Sequence, residues 1–279
     1  MNVAVLKISA VVYLVATVVQ LVFLASQKKP LETWGRRATW TAFGLHTLGL
    51  VLRFFEAGYT PVTSLHEAMS FFAWCIVGLF LLVELRYRLP SFGAFVSPIA
   101  LVFVLAAAGS GGPVEPLNPA LQSVWLPIHV ILIFIGDGAF ALAAAAAVMY
   151  LIQERQLKRK KLSGWFHRLP NLDVLDEVNY RCMTIGFPLL TVGIITGAIW
   201  AQQAWGTYWS WDPKETWSLI TWLLYAALLH GRLTVGWRGS RAAVWALIGF
   251  ASVLFTFLGV SFVLPKLIPG LQSLHIYAQ

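Results

Sequence analysis

Val130-Ile-Leu-Ile-Phe-Ile-Gly-Asp-Gly-Ala-Phe-Ala-Leu-Ala-Ala-Ala-Ala-Ala-Val-Met-Tyr-Leu-Ile152 runs for 23 residues with one acidic or basic side chain, Asp137. As a helix at about 1.5 Å per residue it is about 35 Å long, enough to cross a hydrocarbon core about 30 Å thick. Similar apolar runs recur on both sides of it. The expected spans are about 3–26, 38–56, 67–85, 92–109, 125–153, 182–202, 217–235 and 243–264. The chain is 58% hydrophobic and 11% charged, with a mean hydropathy of +0.73. A soluble chain of 279 residues needs far more polar surface. Regular β-alternation is absent, which argues against a barrel. The expected fold is an all-α integral membrane protein, a bundle of about eight transmembrane helices forming a single domain, 1–279.

Charge placement sets the expected orientation. Sixteen of the 20 Lys and Arg residues fall in loops 27–37, 86–91, 154–181 and 232–241, and only Lys7, Arg53, Lys214 and Lys266 lie on the other side. Basic loops stay cytoplasmic, so segments 57–66, 110–124, 203–216 and 265–279, and both termini, are expected outside. The net charge of +8 is read as this topology signal, and no nucleic-acid partner is expected. The first span is not read as a cleaved signal, because Lys28 and Lys29 follow the apolar run instead of preceding it. Cys75 and Cys182 form no CxxC pair and are expected to be buried small hydrophobes.

One outer segment is unlike the rest. Residues 203–217 read Gln-Ala-Trp-Gly-Thr-Tyr-Trp-Ser-Trp-Asp-Pro-Lys-Glu-Thr-Trp. Asp212 is placed to cap, Pro213 to take the first helical position and Glu215 to close a capping box, so a helix is expected to start here. An interfacial aromatic belt is the plain alternative, but belts use one or two aromatics per helix end. Trp205, Tyr208, Trp209, Trp211 and Trp217 make a platform suited to a large flat π ligand, with the helix N-terminus and Lys214 available to its carboxylates. A porphyrin fits that description and calls for axial ligands. His129, at the outer end of the fifth span, and His275, in the outer tail, fall on the same side as the platform. Two such histidines are what a bis-histidine heme site requires.

The stretch Trp205-Gly-Thr-Tyr-Trp-Ser-Trp-Asp-Pro-Lys-Glu-Thr-Trp-Ser-Leu-Ile-Thr-Trp222, running on to Leu229-His230, resembles the tryptophan-rich "WWD" signature of heme-handling membrane proteins. In its Asp-Pro-Lys-Glu-Thr-Trp form it is similar to the CcsA (ResC) family of system II cytochrome c biogenesis. Gly58-Tyr-Thr-Pro-Val-Thr-Ser-Leu-His-Glu-Ala, Leu258-Gly-Val and Leu274-His-Ile-Tyr-Ala resemble other parts of that family, so the resemblance covers essentially the whole chain. It implies heme b as cofactor, with His129 and His275 as outer iron ligands and His230 at an inner site used during export. Trp205, Gly206, Trp209, Trp211, Asp212 and Glu215, within the segment 203–222, correspond to the heme-cradling loop. The implied activity is transport of heme and its attachment to the CxxCH cysteines of apocytochrome c. The implied catalytic unit is a cytochrome c synthase formed with a separate CcsB/ResB-type partner. The implied location is the bacterial inner membrane, with the WWD loop on the periplasmic side. No catalytic acid–base residue is assigned.

Other polar residues in spans are candidates in their own right. His46 and His230 lie at inner depths that differ by about 5 Å, at about 1.5 Å per residue, and are expected to be able to share an inner heme. His66 is expected to make a helix-end hydrogen bond, and His167 to be solvated. Arg53, Glu56 and Glu84 are expected to snorkel to the interface. Asp137 receives no role. Two readings compete: a HemX-like heme-binding regulator or chaperone without ligation, and a transporter with no cofactor.

Overall fold

Lipid offers no partner to backbone N–H and C=O groups, so apolar runs of this length must satisfy them internally as helices. The computed structural model of the chain, which describes residues 2–112, 114, 116–160, 164–267 and 273, is predominantly helical and contains no strand among those residues. The long helices are α1 (Asn2–Ser26), α2 (Lys29–Ala57), α3 (Leu65–Tyr87), α4 (Gly93–Ser110), α5 (Trp125–Lys158), α6 (Leu172–Trp205), α7 (Pro213–His230) and α8 (Ser240–Leu254). A π-helical turn follows α7 (Gly231–Val235) and another follows α8 (Phe255–Val263). Among the described residues seven helices are long and apolar enough to cross a membrane. The chain is therefore a multi-pass integral membrane protein. The remaining expected span, α2, is 29 residues long, but Lys29, Glu32, Arg36 and Arg37 occupy its first turns and lower its hydropathy. It begins nine residues earlier than expected, because Pro30 pre-sets a helical first turn that apolar periodicity does not reveal. α6 likewise begins ahead of its apolar run, at Leu172. Cys75 and Cys182 are buried free thiols.

The chain divides into two compact units. The first comprises Met1–Pro116 and Met149–Leu175. In it α1 packs on α2 and α4, and α3 packs on α4. Its interior is aromatic and aliphatic: Phe72 meets Phe103 edge-on at 4.8 Å, and Phe92 and Ile76 are fully enclosed. α2 buries Thr39, Ala42, His46, Gly49 and Arg53, a face with the helical 3–4 spacing. Thr39 accepts from the Gln20 amide of α1 at 2.8 Å.

Arg53 does not snorkel. It is 6% exposed, and its Nε donates to Glu67 Oε1 at 2.8 Å while Nη1 reaches the Gly112 carbonyl at 3.2 Å. Glu67 also closes the capping box that starts α3 with Ser64, and accepts from the Thr63 N–H at 3.1 Å. The pairing was not visible in the sequence because the two residues lie 14 positions apart on different helices. His66 makes the expected helix-end contact, with Nδ1 3.0 Å from Ser64 Oγ.

The second unit comprises Leu117–Val148 and Asp176–Gln279. Here α5 and α6 approach through glycine. A Cβ on Gly136 would lie 3.1 Å from the Gly186 carbonyl, and one on Gly193 would lie 2.6 Å from Ile133 Cδ1. Small residues let membrane helices pack this closely. Tyr225 of α7 is fully buried, stacked on Phe140 with centroids 3.6 Å apart, in space left by Gly249 of α8. Thr221 bonds Ser252 at 2.7 Å and ties α7 to α8.

Removing one member of a buried ion pair strands the other in a low dielectric. Glu67→Ala is expected to destabilise the protein by about 3–5 kcal/mol. A clear fall in its melting temperature in detergent checks this, and an unchanged one contradicts it.

Candidate functional site

The Trp-rich loop is built on the start of α7. Asp212 is the N-cap, its Oδ1 accepting from the Lys214 N–H at 2.8 Å, and Pro213 takes the first helical position. Glu215 folds back: its Oε2 accepts from Asp212 N at 3.1 Å, Ser210 N at 2.8 Å and Ser210 Oγ at 3.2 Å. One carboxylate thus satisfies the helix start and pins the loop before it. Two left-handed residues turn the chain, Gly206 at φ 77° and Trp211 at φ 60°. Glycine adopts that conformation without strain, whereas a tryptophan requires its surroundings to enforce it. Trp211 stands 69% exposed, edge-on to Trp209 at 5.8 Å. The capping carboxylate also reaches the far end of the chain, since the Ser273 hydroxyl donates to Asp212 Oδ1 at 2.7 Å.

Beside this loop lies a half-open cavity. His129, Trp209, Lys214 and Glu215 line it with Tyr208, and Ile133, Phe134, Val253 and Phe257 supply apolar wall. His129 and the loop, 80 residues apart in sequence, thus share one chamber. The His129 Nδ1 donates to the Gly193 carbonyl at 2.7 Å, which makes Nε2 the ring nitrogen a metal would take. The residues present fit a heme: a histidine in the wall, flat aromatic surface beside it, apolar walls for the ring and a lysine among the lining residues.

The other expected site residues are distributed as follows. Trp205, Gly206, Trp211 and Asp212 are not among the described residues that line the cavity. Trp205 sits behind it, edge-on to Trp200 at 4.9 Å, and Trp200 is near-parallel to His129 with centroids 6.2 Å apart. His275 lies outside the described residues, two positions after Ser273 in sequence. His46, in the first unit, is fully buried with Nε2 2.8 Å from Ser70 Oγ and its ring edge-on to Tyr13. His230, in the second, closes α7 and is exposed. Asp137 lines the cavity eight residues beyond His129 on α5, 8% exposed, and its carboxylate makes no hydrogen bond or ion pair among the described residues.

Sequence reasoning missed Trp200, Gly193 and Gly197. The signal was present as Gly193-Ile-Ile-Thr-Gly197, a close-packing motif in an apolar helix.

A multi-pass helical protein with an aromatic, histidine-walled chamber under a capped loop is the class these features define. A model of the family described as Cytochrome C assembly protein matches residues 62–268, and the chain belongs to that family. Its relatives include proteins named cytochrome c biogenesis protein CcsA. That of Guillardia theta is 40% identical, covering 77% of this chain and 78% of its own. That of Gloeobacter violaceus is 35% identical (82% and 81%), and that of Synechococcus elongatus 38% (75% and 78%). The fold matches a solved structure titled Cytochrome c Heme Lyase CcmF, with a TM-score of 0.69 at 20% identity. The match covers 92% of this chain, which spans about half (47%) of that one.

Replacing Glu215 with Ala removes three acceptor contacts, each worth about 1.5–3 kcal/mol where a charged group is involved. Residues 206–212 are expected to become protease-sensitive in Glu215→Ala and less so in Glu215→Gln. Wild-type resistance in both would contradict the pinning role.

Proposed function

We propose that this protein binds heme b at the outer face of the membrane and presents it for attachment to the CxxCH cysteines of apocytochrome c. In this reading it is the CcsA-type subunit of a synthase whose other half is a CcsB/ResB-type membrane protein. The observation that carries the reading is the shared cavity: His129 and the Trp-rich loop wall one largely apolar chamber. Membership of the cytochrome c assembly family supports it. His275 is proposed as the second outer ligand, and the Ser273–Asp212 bond, made two positions before it in sequence, supports that. The outer placement follows the charge bias. Eight spans, with α2 as the second, put both termini and the loop on that side, in a single membrane domain whose segment 203–222 handles the heme. In a bacterium the membrane is the inner one.

The chain's own work is positional. Bound heme supplies two vinyl groups; in the attachment each thiol sulfur bonds one vinyl carbon and the thiol hydrogen goes to its neighbour, with no net redox change. With heme bound, His129 would hold the iron, Trp209 would pack on the ring, and Lys214 with the α7 N-terminus would meet the propionates. Asp212 and Glu215 hold the loop and need no acid–base role. An inner site with His230 as a ligand completes the proposed export route, and His46, bonded to Ser70, is proposed separately as an inner ligand within the first unit.

Purified wild type is expected to carry a heme Soret band, and His129→Ala and His275→Ala each to lose or shift it. His230→Ala and His46→Ala are each expected to lower heme content. A colourless wild type, or unchanged spectra in both outer variants, would contradict the proposal. Heme bound normally without covalent attachment, when a CcsB-type partner and a cytochrome c reporter are co-expressed, would favour a chaperone instead.

A further inference from the structure

Three residues of α6 address the ring of His129. Gly193, Gly197 and Trp200 are spaced i, i+4 and i+7 and therefore share one helix face. The Gly193 carbonyl lies 2.7 Å from Nδ1. A carbonyl only accepts, so Nδ1 carries the proton and Nε2 the lone pair. The Thr196 hydroxyl lies 2.9 Å from the same carbonyl and 2.9 Å from that of Val192, and shares its one hydrogen between them. A Cβ on Gly197 would lie 2.6 Å from both Cε1 and Nδ1 of His129, so the ring occupies space that only glycine leaves. The Trp200 indole lies 24° from the ring plane. Its Nε1 donates to the Ala120 carbonyl at 3.0 Å, and the edge of Trp205 braces it at 4.9 Å.

We propose that Gly193, Gly197 and Trp200 are positioning residues, and that this face of α6 sets the tautomer and plane of His129 before heme arrives. The face offers Nε2 to iron and couples the imidazole plane to the first tryptophan of the loop. Partners behind a ligating histidine act in this way in metal sites generally. The role rests on His129 being a heme ligand, as proposed above, whereas the geometry is a property of the heme-free chain.

The test uses the full chain in detergent, labelled with ¹⁵N in its histidine rings and studied first without heme, then loaded with it. His129 is assigned by the resonance missing from His129→Ala. Wild type is expected to show the neutral Nδ1–H tautomer. Gly197→Ala is expected to lose that signature and to bind heme at least about tenfold more weakly, the lower end of the range for such partners. Trp200→Leu, which keeps apolar volume, is expected to retain the tautomer and shift the heme reduction potential. An Nε2–H tautomer in wild type overturns the proposal without any variant. So do a wild-type tautomer and affinity in Gly197→Ala, or an unmoved potential in Trp200→Leu. Wild-type heme affinity in His129→Ala overturns the ligand reading, and with it the role of this face, while leaving the tautomer as stated. The two failures therefore give different records.

Discussion

A helix that begins at a membrane surface has N–H groups its own turns cannot satisfy, and how α7 solves that problem governs the site. Asp212 and Glu215 close the capping box, and the same two carboxylates hold Ser210 and Ser273. The loop is therefore not a free strap of tryptophans. Its approach to the cavity is fixed by the charge that starts the helix, which lets Trp209 serve as wall and leaves Trp211 projecting outward. A helix start has become a clamp on the segment that the family resemblance marks as heme-handling.

On the opposite wall, tightness comes from what is missing. Gly136, Gly186, Gly193 and Gly197 remove side chains where α5 and α6 meet, and the ring of His129 fills the last of those gaps. Apolar packing between helices gains little in lipid, so close backbone approach and a few directional bonds carry the specificity. Polar groups are placed sparingly and serve twice. Glu67 caps α3 and pairs Arg53; Glu215 caps α7 and holds the loop. Asp137 is the exception: it faces the same cavity without a partner among the described residues, and the proposed chemistry does not use it.

The sequence made the spans legible because length and hydropathy are local properties. It made the α7 start legible because a capping box is written within four residues. It placed His129 beside the loop only through charge counting, a global signal. Contacts between distant positions were hidden. Arg53 read as a snorkelling side chain because nothing local shows Glu67 turning toward it. Trp200 read as one more apolar residue because its stacking partner lies 71 positions earlier. The start of α2 was misplaced because charged residues outside the lipid core can be as helical as apolar ones within it, and hydropathy reports only the latter. Depth along a span says nothing about burial: His46 is enclosed and bonded to Ser70, whereas His230 is exposed.

The central claim is that the cavity under the capped loop is a heme seat. A cryo-EM map of the heme-loaded protein tests it most directly. The account predicts a flat ligand lying against Trp209 in this chamber, with its metal at bonding distance from Nε2 of His129. A chamber filled by lipid or collapsed side chains, with heme bound elsewhere on the chain, would contradict it.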